Sequence, residues 1–353
     1  MPYRDPYYFK RLYIKITHWE YWPFHVLYFP IYFYWAWLFI KARSLFFFNT
    51  ANPLIENGGF LMESKKKIYD LLPAHFYPTT LLFQPNTKIE EIEVGIASAG
   101  IDFPFIAKPD IGMRGMQVKL VKNRTALIDY IQQIKVAYLI QSYIDYTEEA
   151  GLFFCKIPGE ARGVITGIVG KEFVQIIGDG VSTIRDLLIK TDRYLLQLPV
   201  LEKTEAILLD RVLAKNEHHT LVPYGNHARG SRFVDWSYKI TPQLQATCNT
   251  IFNQIPEFYY GRIDIRFKDW ESFCEGKYFS MIEVNGAGSD PTHIYDPAHS
   301  VFFAWKEIIR HLNLLYKIST LNKKQKGLSF MRFAEGIKML RDNSKQVSLI
   351  RTN

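Results

Sequence analysis

The sequence predicts an α+β protein, because from about residue 83 onward short β-rich runs alternate with helical ones, a pattern foreign to helix bundles and β-sandwiches. A second observation divides the chain: of its 55 Phe, Trp and Tyr residues, 20 lie in the first 50, so an aromatic N-terminal segment precedes a region of ordinary composition. The third sets the scale. With 353 residues, 48% hydrophobic and 22% charged, the chain can bury more than one sizeable core, which excludes a disordered or collagen-like protein.

Residues 21–40 read YWPFHVLYFPIYFYWAWLFI, an uncharged run between Glu20 and Lys41. Its length matches the roughly 20 residues that cross a bilayer as a helix. Against a simple crossing stand Pro30 in the middle, His25 inside, aromatic residues throughout instead of at two ends, and Arg4, Lys10, Arg11 and Lys15 on the far flank. The segment is expected to re-enter or lie in a membrane interface, broken near Pro30, with Arg43 and Lys65, Lys66 and Lys67 facing anionic lipid. The alternative is an aromatic helical hairpin packed on the rest of the chain or forming a homodimer contact. No small-residue cleavage site follows, which excludes a signal peptide.

Residues 51–82 read as a linker with a short helix near 64–72, punctuated by Asn, Pro and Gly-Gly. Strands follow at FPFIAKP and QVKLV, a helix at 125–134, and a strand at AYLIQSYI. GLFFCKIP, GVITGIVG and KEFVQIIG form a second β-rich region, followed by helices at 183–190 and 201–215. Further strands are GRIDIRFK and YFSMIEVN, with a C-terminal amphipathic helix at 300–316 and a basic tail at 321–353. There is no internal repeat.

Charge and cysteines narrow the chemistry. The net charge of +8 favours anionic partners. Nucleotide phosphates and an anionic membrane surface fit; nucleic acid does not, because no zinc finger, RNA-binding aromatic motif or base-reading basic helix is present. Cys155, Cys248 and Cys274 lie far apart without CxxC spacing, so a reducing compartment is expected and a zinc site is not.

Four separated pieces carry chemistry. In Lys108-Pro109-Asp110-Ile111-Gly112-Met113-Arg114-Gly115 a strand ends in lysine and opens a loop whose glycines let backbone approach phosphate oxygens. Gln141, Ser142, Tyr143 and Ile144 end an apolar strand before Glu148 and Glu149, a connection able to hold an adenine and offer a carboxylate to ribose hydroxyls. In RIDIR, strand alternation puts Arg262, Asp264 and Arg266 on one face. In EVNG, the same period puts Glu283 and Asn285 together, so Asp264, Glu283 and Asn285 form an all-oxygen set suited to magnesium.

In this order and spacing the pieces resemble the ATP-grasp superfamily, in particular its carboxylate–amine ligases of the D-alanine–D-alanine ligase type. The resemblance covers residues 83–315. The run GDGVSTIR at 178–185 and GNHARGSRFVD at 225–235 are similar to segments of cyanophycin synthetase and the bifunctional glutathione-synthesising ligases. The resemblance implies an ATP-grasp domain over 83–320, with subdomains at 83–140 and 141–320. It implies that Lys108 and Lys171 contact ATP phosphates, that Gly112, Arg114 and Gly115 belong to a loop closing over them, and that Gln141, Ser142, Tyr143 and Ile144 line the adenine. Glu149, or else Glu148, would hold the ribose, and Asp264, Glu283 and Asn285 would hold magnesium, or manganese in its place. Arg262 and Lys108 would be catalytic, and Arg229 a clamp for a substrate carboxylate or acyl phosphate.

The expected activity is ATP-dependent joining of a carboxylate to an amine through an acyl phosphate, at the cytoplasmic side of a membrane or in the cytoplasm. The alternative is an ATP-binding, membrane-associated interaction protein without ligase activity. The sequence departs from the D-alanine–D-alanine ligases in lacking their N-terminal substrate domain, in carrying Gln141 at a position often acidic, and in the long KDWESFCEGKYF connection. Neither substrate is named by these residues.

Overall fold

The computed structural model describes residues 6–113, 115–222, 225, 227 and 230–351. Two helices, α1 (Tyr8–Thr17) and α2 (Phe24–Ala42), are followed by turns and a short helix α3 (Lys65–Tyr69), capped by Ser64. The first α+β unit comprises β1 (Thr80–Phe83), α4 (Ile89–Ser98), β2 (Phe105–Pro109), β3 (Lys119–Val121), α5 (Arg124–Gln133) and β4 (Tyr138–Ser142). Its antiparallel sheet has the order β1-β4-β2-β3.

The second unit runs through β5 (Glu148–Cys155), β6 (Val164–Glu172) and β7 (Val174–Ile177), then α6 (Ile184–Ile189), α7 (Asp192–Leu195), α8 (Leu198–Thr204) and α9 (Ala206–Leu209). It continues through β8 (His218–Val222), β9 (Arg232–Asp235), α10 (Pro242–Phe252), β10 (Tyr260–Phe267), α11 (Trp270–Cys274) and β11 (Phe279–Asn285). The main sheet is antiparallel, β11-β10-β5-β6-β9, beside a β7-β8 pair. Two helices follow, α12 (Val301–Lys326) and α13 (Phe333–Arg351). The α+β class expected from the alternating pattern is therefore observed.

Local chemistry sets the helix ends. The Thr183 hydroxyl and Asp186 carboxylate form a capping box at α6, and Thr241 caps α10 with Pro242 in its first turn, where a missing N–H costs nothing. Ser300 caps α12, which stops at Gly327 in the left-handed region (φ 66°).

Four expectations need correction. The helix expected at 201–215 is two short helices ending at Leu209. The connection KDWESFCEGKYF holds α11, capped by the Asp269 carboxylate, where an extended loop was expected. The basic tail is instead the last turns of α12 and then α13; lysines 323, 324 and 326 stand at the C-terminal end of α12, where the helix dipole favours cations. The break expected at Pro30 is absent, since α2 is one helix from Phe24 to Ala42. Pro30 lies on its exposed side, so the carbonyl it leaves without a partner can turn to the outside.

Alternation along the main sheet creates two different faces. Leu152, Phe154, Ile263, Ile265 and Phe267 pack with Leu244, Cys248 and Phe252 of α10 in one core. The opposite face carries Phe153, Cys155 and Tyr260 at one end, in a core shared with α12 and with Leu27, Tyr28, Ile31 and Leu38 of α2. A third core fills the first unit and includes Ile350 of α13, whose Met339 belongs to the core of α2 and α12. Helix α13 thus touches both units.

Helix α2 is consequently part of the protein's own packing, as in the hairpin alternative. Its outer side exposes Val26, Phe29, Phe33, Trp37 and Ile40. Among the described residues no helix is long and apolar enough to cross a membrane.

Candidate functional site

The two sheets face a single cleft, and at its centre lies the other end of the face just described. On β10 the alternation Arg262, Asp264, Arg266 faces the cleft. Register sets Asp264 opposite Gly151 of β5 on one side and Glu283 of β11 on the other, while Arg262 pairs with Asn285. Gly151 is required here: a Cβ would stand 2.8 Å from Asp264 Oδ1 and 3.2 Å from Arg262 Cδ.

Asp264 is buried and doubly paired. Arg262 Nε donates to its Oδ1 at 2.7 Å and Lys171 Nζ to its Oδ2 at 3.0 Å. Burial alone would raise its pKa, but the two cations outweigh it and hold it at about 2, so the carboxylate is ionised at neutral pH. Lys171 also donates to Glu149 Oε1 at 2.9 Å. Burial works against its charge, yet Asp264 and Glu149 raise its pKa.

Glu149 is itself buried, with Arg266 Nε at 3.5 Å and the Gly225 amide at 3.3 Å from Oε2. Its oxygens are thus engaged by protein groups. Arg266 also donates to the Ile144 carbonyl at 2.9 Å and lies over the Tyr143 ring, ordering the connection after β4.

Lys108, on β2, reaches the same cleft from the first unit. Its Nζ donates to Gln141 Oε1 at 2.9 Å, and it also lies 3.0 Å from the Tyr69 hydroxyl and 3.1 Å from the Ile282 carbonyl. Burial lowers its pKa to about 8, against the pull of Glu283, Asp110 and Asp264. The Gln141 side chain is thereby committed to Lys108 and, through Nε2, to the Thr80 hydroxyl at 2.7 Å.

Ile111, Gly112, Met113 and Gly115 border the cleft, with Gly115 in the left-handed region at φ 67°. Lys65 Nζ donates to the Gly112 carbonyl at 2.8 Å and lies 3.8 Å from Glu283. Arg114 and Arg229 lie outside the described residues. Residues 178–185 do not line the cleft: Asp179 accepts the Val181 and Ser182 amides in an exposed turn that leads into the α6 cap.

Several cleft groups were not singled out from sequence. Glu63 and Tyr69 come from the stretch read as a linker with a short helix, and Lys65, expected to face anionic lipid, instead turns into the cleft toward the Gly112 carbonyl; Glu63 has one buried carboxylate oxygen without a partner, and burial raises its pKa. Asn285 Nδ2 is likewise buried and unpaired. Glu20, buried in the turn before α2, accepts from Arg193 Nη2 at 2.6 Å and lies 3.2 Å from His227 Nε2, so the aromatic segment closes one side of the cleft.

The arrangement suits a polyanion with a hard cation: buried lysines stand beside the ionised Asp264 carboxylate in a site partly shielded from water.

No family model and no curated protein matches this chain. Among solved structures it is similar to a bifunctional glutathione synthetase from Pasteurella multocida, at 14% identity over 72% of this chain and 38% of that one (TM-score 0.35). It is also similar to the D-alanine–D-alanine ligase from Bacillus anthracis complexed with ATP, at 13% identity over 75% and 68% of the two chains (TM-score 0.42). A third is the VanG D-Ala:D-Ser ligase from Enterococcus faecalis, at 13% identity over 72% and 61% (TM-score 0.41).

Proposed function

We propose that this chain is a magnesium- and ATP-dependent ligase of the ATP-grasp type, joining a carboxylate to an amine through an acyl phosphate. The observation that carries the reading is the pairing of β10 with β11, with Asp264 opposite Glu283 and Arg262 opposite Asn285, in a cleft that also holds Lys108 and Lys171.

The residues fit a magnesium ion. Asp264 is ionised and would exchange one of its bonds to Arg262 or Lys171 for the ion, Glu283 is partly open to solvent, and the Asn285 amide has an uncommitted nitrogen, so its oxygen can be turned toward a cation. Asp264, Glu283 and Asn285 would hold the ion, which when bound neutralises phosphate charge. ATP would lie with its adenine against Gln141, Ser142, Tyr143 and Ile144, and its phosphates against Lys108, Lys171 and the Gly112–Gly115 loop. Residues 83–140 and 141–320 are taken as the two subdomains gripping it. Glu149, already bound to Lys171 and Arg266, is read as a positioning residue for that lysine.

In the first step a carboxylate oxygen attacks the γ-phosphorus, forming an O–P bond as the bond to the departing ADP breaks. In the second an amine nitrogen attacks the acyl carbon, a C–N bond forms and phosphate leaves with the C–O electron pair. Arg262 is read as stabilising the oxyanion of that step. Glu63, with an unpaired oxygen and a raised pKa, is suited to accept the amine proton.

The test is ADP release from ATP over a panel of carboxylates and amines. Release is expected to require both substrates and to fall at least about 10²-fold in Glu283→Ala, the scale of several kcal/mol of lost charge stabilisation. Tight ATP binding with no stimulation by any pair would leave a nucleotide-binding protein without ligase activity.

The reading also places the enzyme at a membrane surface, supported by the outer stripe Val26, Phe29, Phe33, Trp37 and Ile40 of α2 and by exposed Phe9 and Tyr13 on α1. Cosedimentation with anionic vesicles is expected for the native chain and lost in a Phe29→Glu, Phe33→Glu double variant. Equal sedimentation of the two would remove the lipid assignment.

A further inference from the structure

The cleft is larger than its proposed nucleotide requires. Its volume is about 1340 Å³, against the ~300–1,000 Å³ usual for small-molecule sites. Away from the lysines its walls change character: Leu27, Ile31 and Trp35 of α2 stand on one side, with Phe333, Ile337 and Leu340 of α13 on another.

The change of character can be located on one strand. Residues 266, 264, 262 and 260 share a face of β10, and along that face two arginines and an aspartate give way to buried Tyr260, with Phe153 in register beside Arg262. The nucleotide end lies toward Arg266, which holds the Ile144 carbonyl. The apolar end therefore begins just beyond Arg262, on the side away from the adenine connection.

We infer that this apolar part of the cleft is a substrate chamber and that it takes the hydrocarbon or aryl tail of the carboxylate substrate. The inference rests on the ligase reading for the position of the reacting carboxylate. A carboxylate set to attack the γ-phosphorus beside Arg262 has the nucleotide on one side, so the rest of its molecule extends past Tyr260 toward α2 and α13. The Tyr28 hydroxyl donates to Asp290 at this boundary, so the tyrosine's polar atom is satisfied and its ring is left to pack. An apolar acid gains by leaving water along the walls that α2 and α13 supply.

The test is a chain-length series of saturated monocarboxylates from four to fourteen carbons, titrated calorimetrically into the full chain with and without Mg-ADP. Affinity is expected to rise about fourfold per methylene until the chamber is full. A terminally brominated member is expected to quench tryptophan fluorescence, since Trp22 and Trp35 line the cleft. Leu340→Glu, a change at a partly exposed wall residue, is expected to flatten the series.

The quenching measurement needs only the native chain, so it decides the matter if that variant fails to fold. Affinity independent of chain length, absence of quenching, or a matching slope for alkylamines in place of acids would each overturn the inference. Strong chain-length dependence without acid-stimulated ADP release would instead uphold the chamber and defeat the ligase reading. Turnover confined to short polar acids would do the reverse.

Discussion

Lys108 is held by three oxygen atoms in a site that burial makes costly for its charge. Its folded-state pKa of about 8 lies below the ordinary lysine value of about 10.4. Between those values the unfolded chain binds more protons than the folded one, so this residue's contribution to stability rises with pH across that window. Its value to a phosphate runs the other way, because the charged form is the one that binds. Mg-ATP affinity is therefore expected to decline above pH 8, by up to about tenfold per unit, and Lys108→Arg should move the decline upward because a guanidinium stays charged. A nucleotide titration from pH 7 to 9.5 checks this, and a flat profile in the native chain would remove Lys108 from the phosphate site. The charged residues of β10 and β11 were legible in the sequence because a strand's period of two dictates which side chains share a face. The engagement of Glu149 was not, since it depends on Gly225, 76 positions away in the chain. Tyr69 and Lys65 were not legible as cleft residues, because a helix of five residues in a linker does not show from its own sequence which of its sides meets the sheets.

At the scale of elements, α13 shows how charge can mask a helix. Phe333, Ile337, Leu340, Val347 and Ile350 recur at helical spacing, but the basic residues between them read as a solvated tail. Its docking depends on Gly336, where a Cβ would come within 2.1 Å of the Phe46 ring. Gly336→Val is expected to weaken that docking by about 1–3 kcal/mol, the usual cost of overpacking. The consequence to measure is faster limited proteolysis between residues 327 and 332, with the main sheet remaining protected from hydrogen exchange. Unchanged cleavage would mean that Phe46 has room to move. Helix α2 presented the opposite difficulty. Both of its sides are apolar, so the pattern could not say which side meets protein; only the packing against α12 and the main sheet separates buried Leu27, Ile31 and Leu38 from exposed Phe29 and Phe33.

For the molecule as a whole, the compositional divide at residue 50 does not coincide with a structural one. Leu27, Tyr28, Ile31, Leu38 and the run Phe46, Phe47 and Phe48 are core residues of the same cluster as Ile308 and Leu315. Each large buried side chain lost costs about 2–5 kcal/mol, and a domain's whole stability is only about 5–15 kcal/mol. A chain beginning at residue 51 is therefore expected to lose its cooperative unfolding transition, which calorimetry or urea denaturation would reveal. A transition preserved at the native midpoint would make the first 50 residues an appendage after all. The contact between Gln346 Nε2 and the Ile111 carbonyl, at 3.0 Å, joins α13 to the glycine loop. A loop that shifts to cover phosphates must carry this helix with it or give up the bond. Occupancy at the two ends of the cleft is then thermodynamically linked: whatever factor a nucleotide applies to the affinity for a tail, the tail must apply equally to the nucleotide.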